Sequence, residues 1–215
     1  MTLVRVREHV NPLSQRYQVV TAPPDWAAVY AQMSVPLHLD IGCGRGKFLL
    51  EMAQQHPDWN FLGLEIREPL VEQANQWRSQ SGLTNLFYLF CNANTSLHPL
   101  LASLPSGVLQ RVTIQFPDPW FKRRHQKRRV VQPELVTAIA EFLVDGGTVF
   151  LQSDIEEVAA EMRDRFAEHP AFQPLSEGWL ATNPLPVQTE RELLVLSFHD
   201  PVYRVQFSRS PRATG

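Results

Sequence analysis

From about residue 36 onward, short apolar runs alternate with amphipathic stretches in a regular order. Apolar runs of strand length fall at 37–41, 59–66, 86–91, 108–116 and 148–153. Between and after them, residues 47–56, 69–81, a short segment ending near Pro105, 133–144 and 155–168 carry helical periodicity. Gly82 lies past the second helix; Pro133 opens the fourth and Gly146-Gly147 follow it, which marks the boundaries. Five strand–helix units in succession predict an α/β fold with a parallel sheet covered on both faces. Residues 178–190 are rich in proline and polar residues, and 202–208 alternates as a strand. The tail is therefore expected to add a sixth and a seventh strand at the sheet edge, at least one of them antiparallel. Residues 1–24, interrupted by Asn11-Pro12 and Pro23-Pro24, read as a flexible N-terminal arm, which leaves 25–215 as a single domain.

In parallel sheets of this kind ligands bind at the carboxyl ends of the strands. Asp40, Gly42, Glu65, Asn92, Asp118 and Asp154 all fall at or just past predicted strand ends. The loop Asp40-Ile41-Gly42-Cys43-Gly44-Arg45-Gly46 follows a strand and opens a helix, with spacing GxGxG and not the dinucleotide pattern GxGxxG. An acid two residues ahead of the glycines repels a diphosphate and suits a cationic ligand. S-adenosylmethionine carries an ammonium and a sulfonium and no phosphate. Glu65 is placed to accept both ribose hydroxyls, and Asn92 to bond the adenine edge. Singly, each of these residues reads as a strand-end polar group facing water; together they favour a methyl-donor site.

The segment Phe116-Pro117-Asp118-Pro119-Trp120-Phe121 adds a second kind of chemistry. Two prolines restrict the backbone on both sides of Asp118, and two aromatics offer flat surfaces for a base. Six of the eight residues from Lys122 to Arg129 are basic. The chain has 20 basic and 22 acidic residues, a formal −2; without that run it is 14 against 22, or −8. Positive potential is thus concentrated at one place beside a fixed carboxylate, which points to work on a nucleic acid and not to general stickiness. A lone basic run is more often a solvated face, and the adjacency to Asp118 decides against that reading here.

Size and composition exclude more than they assign. A length of 215 residues suits one well-packed domain, no apolar stretch is long enough to cross a bilayer, and the start lacks the apolar core of a secretory signal. Cys43 and Cys91 have no zinc-ligand spacing and no adjacent histidine, so both read as packing residues in a reducing, cytoplasmic compartment. The histidines are scattered and suggest no metal site; His38 reads as a satisfied core or edge residue. Monomer and homodimer both remain open.

With both halves in view, the chain resembles the tRNA (guanine-N7)-methyltransferase family from about residue 36 to the end, most specifically across 116–129. The resemblance implies a Rossmann-like class I methyltransferase fold, with a mostly parallel seven-stranded sheet and an antiparallel C-terminal edge. It implies S-adenosylmethionine as cofactor, tRNA as partner and the variable-loop guanosine at position 46 as target. Position by position, it implies cofactor contacts from Asp40, Gly42, Gly44, Glu65, Asn92 and Asp118, with Asp118 also catalytic. Lys122, Asp154, Thr189 and Glu192 would hold the substrate, and Arg124, Lys127, Arg128 and Arg129 the RNA backbone. Two positions depart from the family pattern: Asn92 stands where Asp is usual, and Arg191 where an aromatic is common. The competing readings are a methyltransferase of another RNA or of protein, a nicotinamide oxidoreductase, and a non-catalytic RNA-binding module. Arg5, Arg7, His9 and Arg16 raise the further expectation that the arm folds over bound RNA.

Overall fold

A computed structural model describes residues 4, 6 and 10–212. Seven strands form one sheet: β1 Leu37–Ile41, β2 Asn60–Glu65, β3 Leu86–Phe90, β4 Leu109–Gln115, β5 Thr148–Ser153, β6 Phe172–Pro174 and β7 Tyr203–Arg209. Their order across the sheet is β3-β2-β1-β4-β5-β7-β6. The first five pair in parallel, while β7 runs antiparallel to both β5 and β6. Strand order reverses between β1 and β4, so the crevice where ligands bind in doubly wound sheets opens above Asp40 and residue 116.

Helices α2 Lys47–Gln55, α3 Glu68–Gln80, α4 Ala93–Ala102, α5 Pro133–Phe142 and α6 Glu156–Ala167 cover the two faces, with a short α1 at Trp26–Val29. β1 and β2 are buried along their whole length, as strands covered on both faces must be. The main core lies between the sheet and α4, α5 and α6, built on Leu39, Ile41, Val112, Ile114, Leu135, Ile139 and Phe166. A second cluster, with Leu49, Met52, Phe61, Ala74 and Tyr88, packs α2 and α3 on the other face.

Two elements differ from the sequence expectation. β6 lies before the proline-rich segment, at 172–174, because Phe172 anchors against Phe166 of α6. A helix absent from that reading, α7 Glu190–Ser197, follows the segment. Thr189 accepts the Glu192 backbone N–H at 3.1 Å, so Thr189-x-x-Glu192 opens α7 as the Ser/Thr-x-x-Glu capping pattern does.

The described part of the arm packs against the domain. Thr21 N–H donates to Ser96 Oγ (3.0 Å), Tyr17 meets Phe90 edge-on, and Arg16 pairs with Glu68. Arg5, Arg7 and His9 lie outside the described residues. No helix among the described residues is long and apolar enough to cross a membrane.

Candidate active site

Asp40 is the penultimate residue of β1, and the chain leaves the strand through Gly42, Gly44 and Gly46, all at positive φ. The N–H groups of Gly42 and Cys43 both donate to Leu64 O (2.8 and 3.0 Å), which staples the loop to β2. At Gly46 a Cβ would meet the Tyr88 ring at 2.6 Å, so glycine is needed there for space as well as for conformation.

Asp40 is 4% exposed, and its hydrogen-bond partners are neutral. The Thr113 hydroxyl donates to Oδ1 at 2.6 Å and the Gln115 amide at 3.4 Å. Burial pushes the carboxyl up to about 6 against those two hydrogen bonds, with Glu65 adding to the rise. Since Thr113 spends its proton on Asp40, it accepts from His38 Nε2 (3.0 Å). Burial first, then Arg111 and His56, holds His38 neutral. His38 is thus a core residue that also fixes the hydroxyl serving Asp40.

Glu65, at the end of β2, is 3% exposed. Its carboxylate accepts the N–H groups of Gly44, Ile66 and Arg67 at 2.9–3.0 Å, and a bidentate contact from the Arg67 guanidinium (2.9 Å to each oxygen). A ribose diol would have to displace the guanidinium. Asn92 caps α4: its Oδ1 accepts Asn94 N–H, and its amide donates to the arm carbonyls of Pro12 (3.1 Å) and Tyr17 (3.0 Å). The arm thus occupies both donor hydrogens of the amide, and the expected adenine contact would have to draw it off those carbonyls.

Two cavities meet at this rim. The first, about 120 Å³, lies between Glu65, Asn92, Ile66, Cys91, Trp120 and Asp118. The second, about 620 Å³, is lined by Asp40, the glycine loop, Asp118, Phe121, Asp154, Thr189 and Arg191. Among the described residues, Asp118 is the only acidic one that lines both. It sits there because Phe116, whose N–H extends the β4–β5 pairing to Gln152 O (2.8 Å), turns at φ 49° and hands over to the Pro-Asp-Pro segment. Asp154 is paired with Arg191, and the Thr189 hydroxyl oxygen caps α7.

The basic run divides. Residues Arg123–Arg128 form a 3₁₀ turn, which brings neighbouring side chains to different sides. Lys122, Arg123, Arg124 and Lys127 are exposed. Arg128 turns inward over the Trp120 ring, 4.9 Å from its centroid, and lines the smaller cavity. Arg129 is 4% exposed, with its guanidinium on Pro119 O (2.8 Å), Glu157 (2.7 Å) and Glu161. Of these residues expected to bind RNA backbone, Arg128 stacks on Trp120 and Arg129 ties the Asp118 segment to α6. Arg123 is on the exposed face.

Glu192, expected to hold the substrate, lies apart from both cavities. It is fully buried, held by Arg204, Gln152 and Asn183. Its buried carboxylate anchors the start of α7, which carries Thr189 and Arg191 to the larger cavity. Gln115 and Arg67, both on the cavity wall, were not singled out by sequence; no motif marks either. Cys91 packs beside Glu65, its thiol pushed up to about 12 by burial, so neither its pKa nor its access suits a nucleophile. No metal-binding cluster occurs among the described residues.

The family described as "Putative methyltransferase" matches residues 34–205. A Trichormus variabilis protein named tRNA (guanine-N(7)-)-methyltransferase is 65% identical over 210 residues, 97% of this chain and 98% of that protein. Proteins of the same name from Nostoc sp. and Synechocystis sp. are 64% and 59% identical over 98% of this chain, and over 96% and 100% of their own lengths. Among solved structures, the 16S rRNA methyltransferase KamB superposes with a TM-score of 0.61 at 20% identity, covering 91% of this chain and 98% of that one. The aminoglycoside resistance methyltransferase NpmB1 gives 0.53 at 16%, with 85% and 89% covered. At these identities the two structures bear on the fold, which is that of class I methyltransferases.

Proposed function

The chain belongs to the tRNA (guanine-N7)-methyltransferase family, and from that premise we propose that it methylates N7 of the variable-loop guanosine at tRNA position 46. The observation that carries the site assignment is the position of Asp118 on the wall between two cavities. One side offers Glu65 and apolar Ile66 and Cys91 to an adenosine; the other offers acids and a hydroxyl beside exposed cations.

The residues fit S-adenosylmethionine. Asp40 is a buried carboxylate with only neutral partners, which suits an ammonium group, and the glycine loop lets a ligand approach the backbone. When bound, the cofactor supplies a sulfonium-activated methyl group. Glu65 would take the ribose hydroxyls, with Arg67 released toward Asp118, whose field it already feels. Guanine N7 has a free lone pair, so the chain must position the base more than deprotonate it. Asp118 would accept hydrogen bonds from the guanine N1–H and amino edge and stabilise the positive charge that develops on the ring. Asp154 and Thr189 would complete the hold on the base once Arg191 yields Asp154. Lys122, Arg123, Arg124 and Lys127 would neutralise phosphates and give an affinity that falls with salt.

Incubation with labelled S-adenosylmethionine and unmodified tRNA, followed by chain cleavage at 7-methylguanosine, tests this reading. One cleavage in the variable loop is expected; none would overturn it.

Asp40 gives cofactor binding a pH dependence of defined sign. The folded carboxyl titrates at about 6, and a bound ammonium favours its charged form. Affinity for S-adenosylhomocysteine should therefore be level above neutrality and fall toward about tenfold per pH unit below 6. Binding near pH 6 should release a proton, seen by calorimetry in buffers of different ionisation enthalpy. Asp40→Asn should bind weakly with a flat profile. A wild-type profile flat down to pH 5 would remove Asp40 from the ammonium site.

A further inference from the structure

We propose that Phe121 is the platform on which the target guanine stacks. The proposal rests on the function proposed above and assigns the base-holding surface within it. Phe121 is 65% exposed, an unusual state for a large aromatic, and it stands on the lip of the larger cavity. That cavity also holds Asp118, Asp154 and Thr189, the groups suited to a guanine's polar edge.

The neighbouring aromatic is not equivalent. Trp120 takes a positive φ of 43°, a strained conformation for a bulky residue, and its ring faces the other cavity. There the Arg128 guanidinium covers it at 4.9 Å, and His125 meets it edge-on at 5.9 Å. The left-handed turn at Trp120 sends consecutive aromatics to different sides: Trp120 toward the smaller cavity, Phe121 toward the larger one. The strain is held in place by Arg129, whose guanidinium binds Pro119 O just ahead of the turn.

Arg191 lines the larger cavity, paired with Asp154, and brings no aromatic ring to it. Of the aromatics lining that cavity, Phe48 is buried in the α2 core and Phe116 is partly buried, whereas Phe121 presents an open face. A flat apolar ring fits any base; the carboxylates and Thr189 would supply the preference for guanine.

The test compares the whole enzyme with Phe121→Ala, Phe121→Leu and Phe121→Trp, using unmodified tRNA. Loss of one base–aromatic stack should lower kcat/KM by roughly 10- to 100-fold in Phe121→Ala. Phe121→Leu, apolar but without a π face, should remain low, and Phe121→Trp should restore most of the rate. The loss should sit in the single-turnover rate at saturating tRNA. Affinity for tRNA and for S-adenosylhomocysteine, and the Tm, should stay near wild type, a split that a merely structural role would not give. Phe121→Ala within twofold of wild type, or Phe121→Leu as active as Phe121→Trp, would overturn the proposal while leaving the function intact. A wild-type chain that makes no 7-methylguanosine would overturn both.

Discussion

Asp118→Ala should lower the single-turnover methylation rate by at least about 10²–10³-fold, the usual consequence of removing one preorganised electrostatic contact to a transition state. Affinity for tRNA should change little, because the exposed cations Lys122, Arg123, Arg124 and Lys127 remain where they are. The size of the effect follows from position. Among the described residues no other acid lines both cavities, so no neighbour stands ready to take its place when the guanine ring becomes cationic. Asp118→Asn keeps the shape and one acceptor but removes the charge, and should recover only a small part of the rate. Two locked prolines flank the residue, so neither change should propagate along the backbone. Wild-type-like turnover in Asp118→Ala, measured by quench-flow with labelled cofactor, would take the residue out of the mechanism.

The sheet and its rim were legible because both follow from local rules. Strand ends could be placed from apolar runs and glycine boundaries, and the crevice in a doubly wound sheet lies at those ends; Asp40, Glu65 and Asp118 therefore fell together. Facing was not legible. Arg128 and Arg129 look like their neighbours in the sequence, and what turns them inward is Trp120 beneath one and Glu157 and Glu161 on α6 around the other. Those acids lie some thirty residues away and carry no mark of the pairing. Asn92 is a similar case: its donor hydrogens are spent on carbonyls of the arm, 75 and 80 residues earlier in the chain. The start of α7, by contrast, was written locally. Thr189-x-x-Glu192 is a helix-opening pattern that the sequence carries on its face.

The burial of Glu192 gives the second large effect. Arg204→Ala should destabilise the domain by about 3–5 kcal/mol, because it leaves a carboxylate with 0% exposure without its cation. At about 2–4 °C per kcal/mol for a domain of this size, the Tm should fall by on the order of 10 °C. Arg204 on β7 donates through Nε (3.2 Å) and Nη2 (2.8 Å) to one oxygen of Glu192, while Asn183 (2.7 Å) and Gln152 (3.2 Å) donate to the other. Gln152 also donates to Gln115 (2.8 Å), which reaches Asp40 at 3.4 Å, so the anchor of α7 is continuous with the buried Asp40 carboxylate. Replacing both charges, Arg204→Met with Glu192→Leu, removes the desolvation cost together with the attraction and should regain most of the lost stability. That double variant also separates two roles for Glu192. A buried anchor predicts that the double variant, once folded, still methylates tRNA, because Thr189 and Arg191 are carried on the same turn. A direct contact with the base predicts a stable protein with no activity, and that result would return Glu192 to the substrate site.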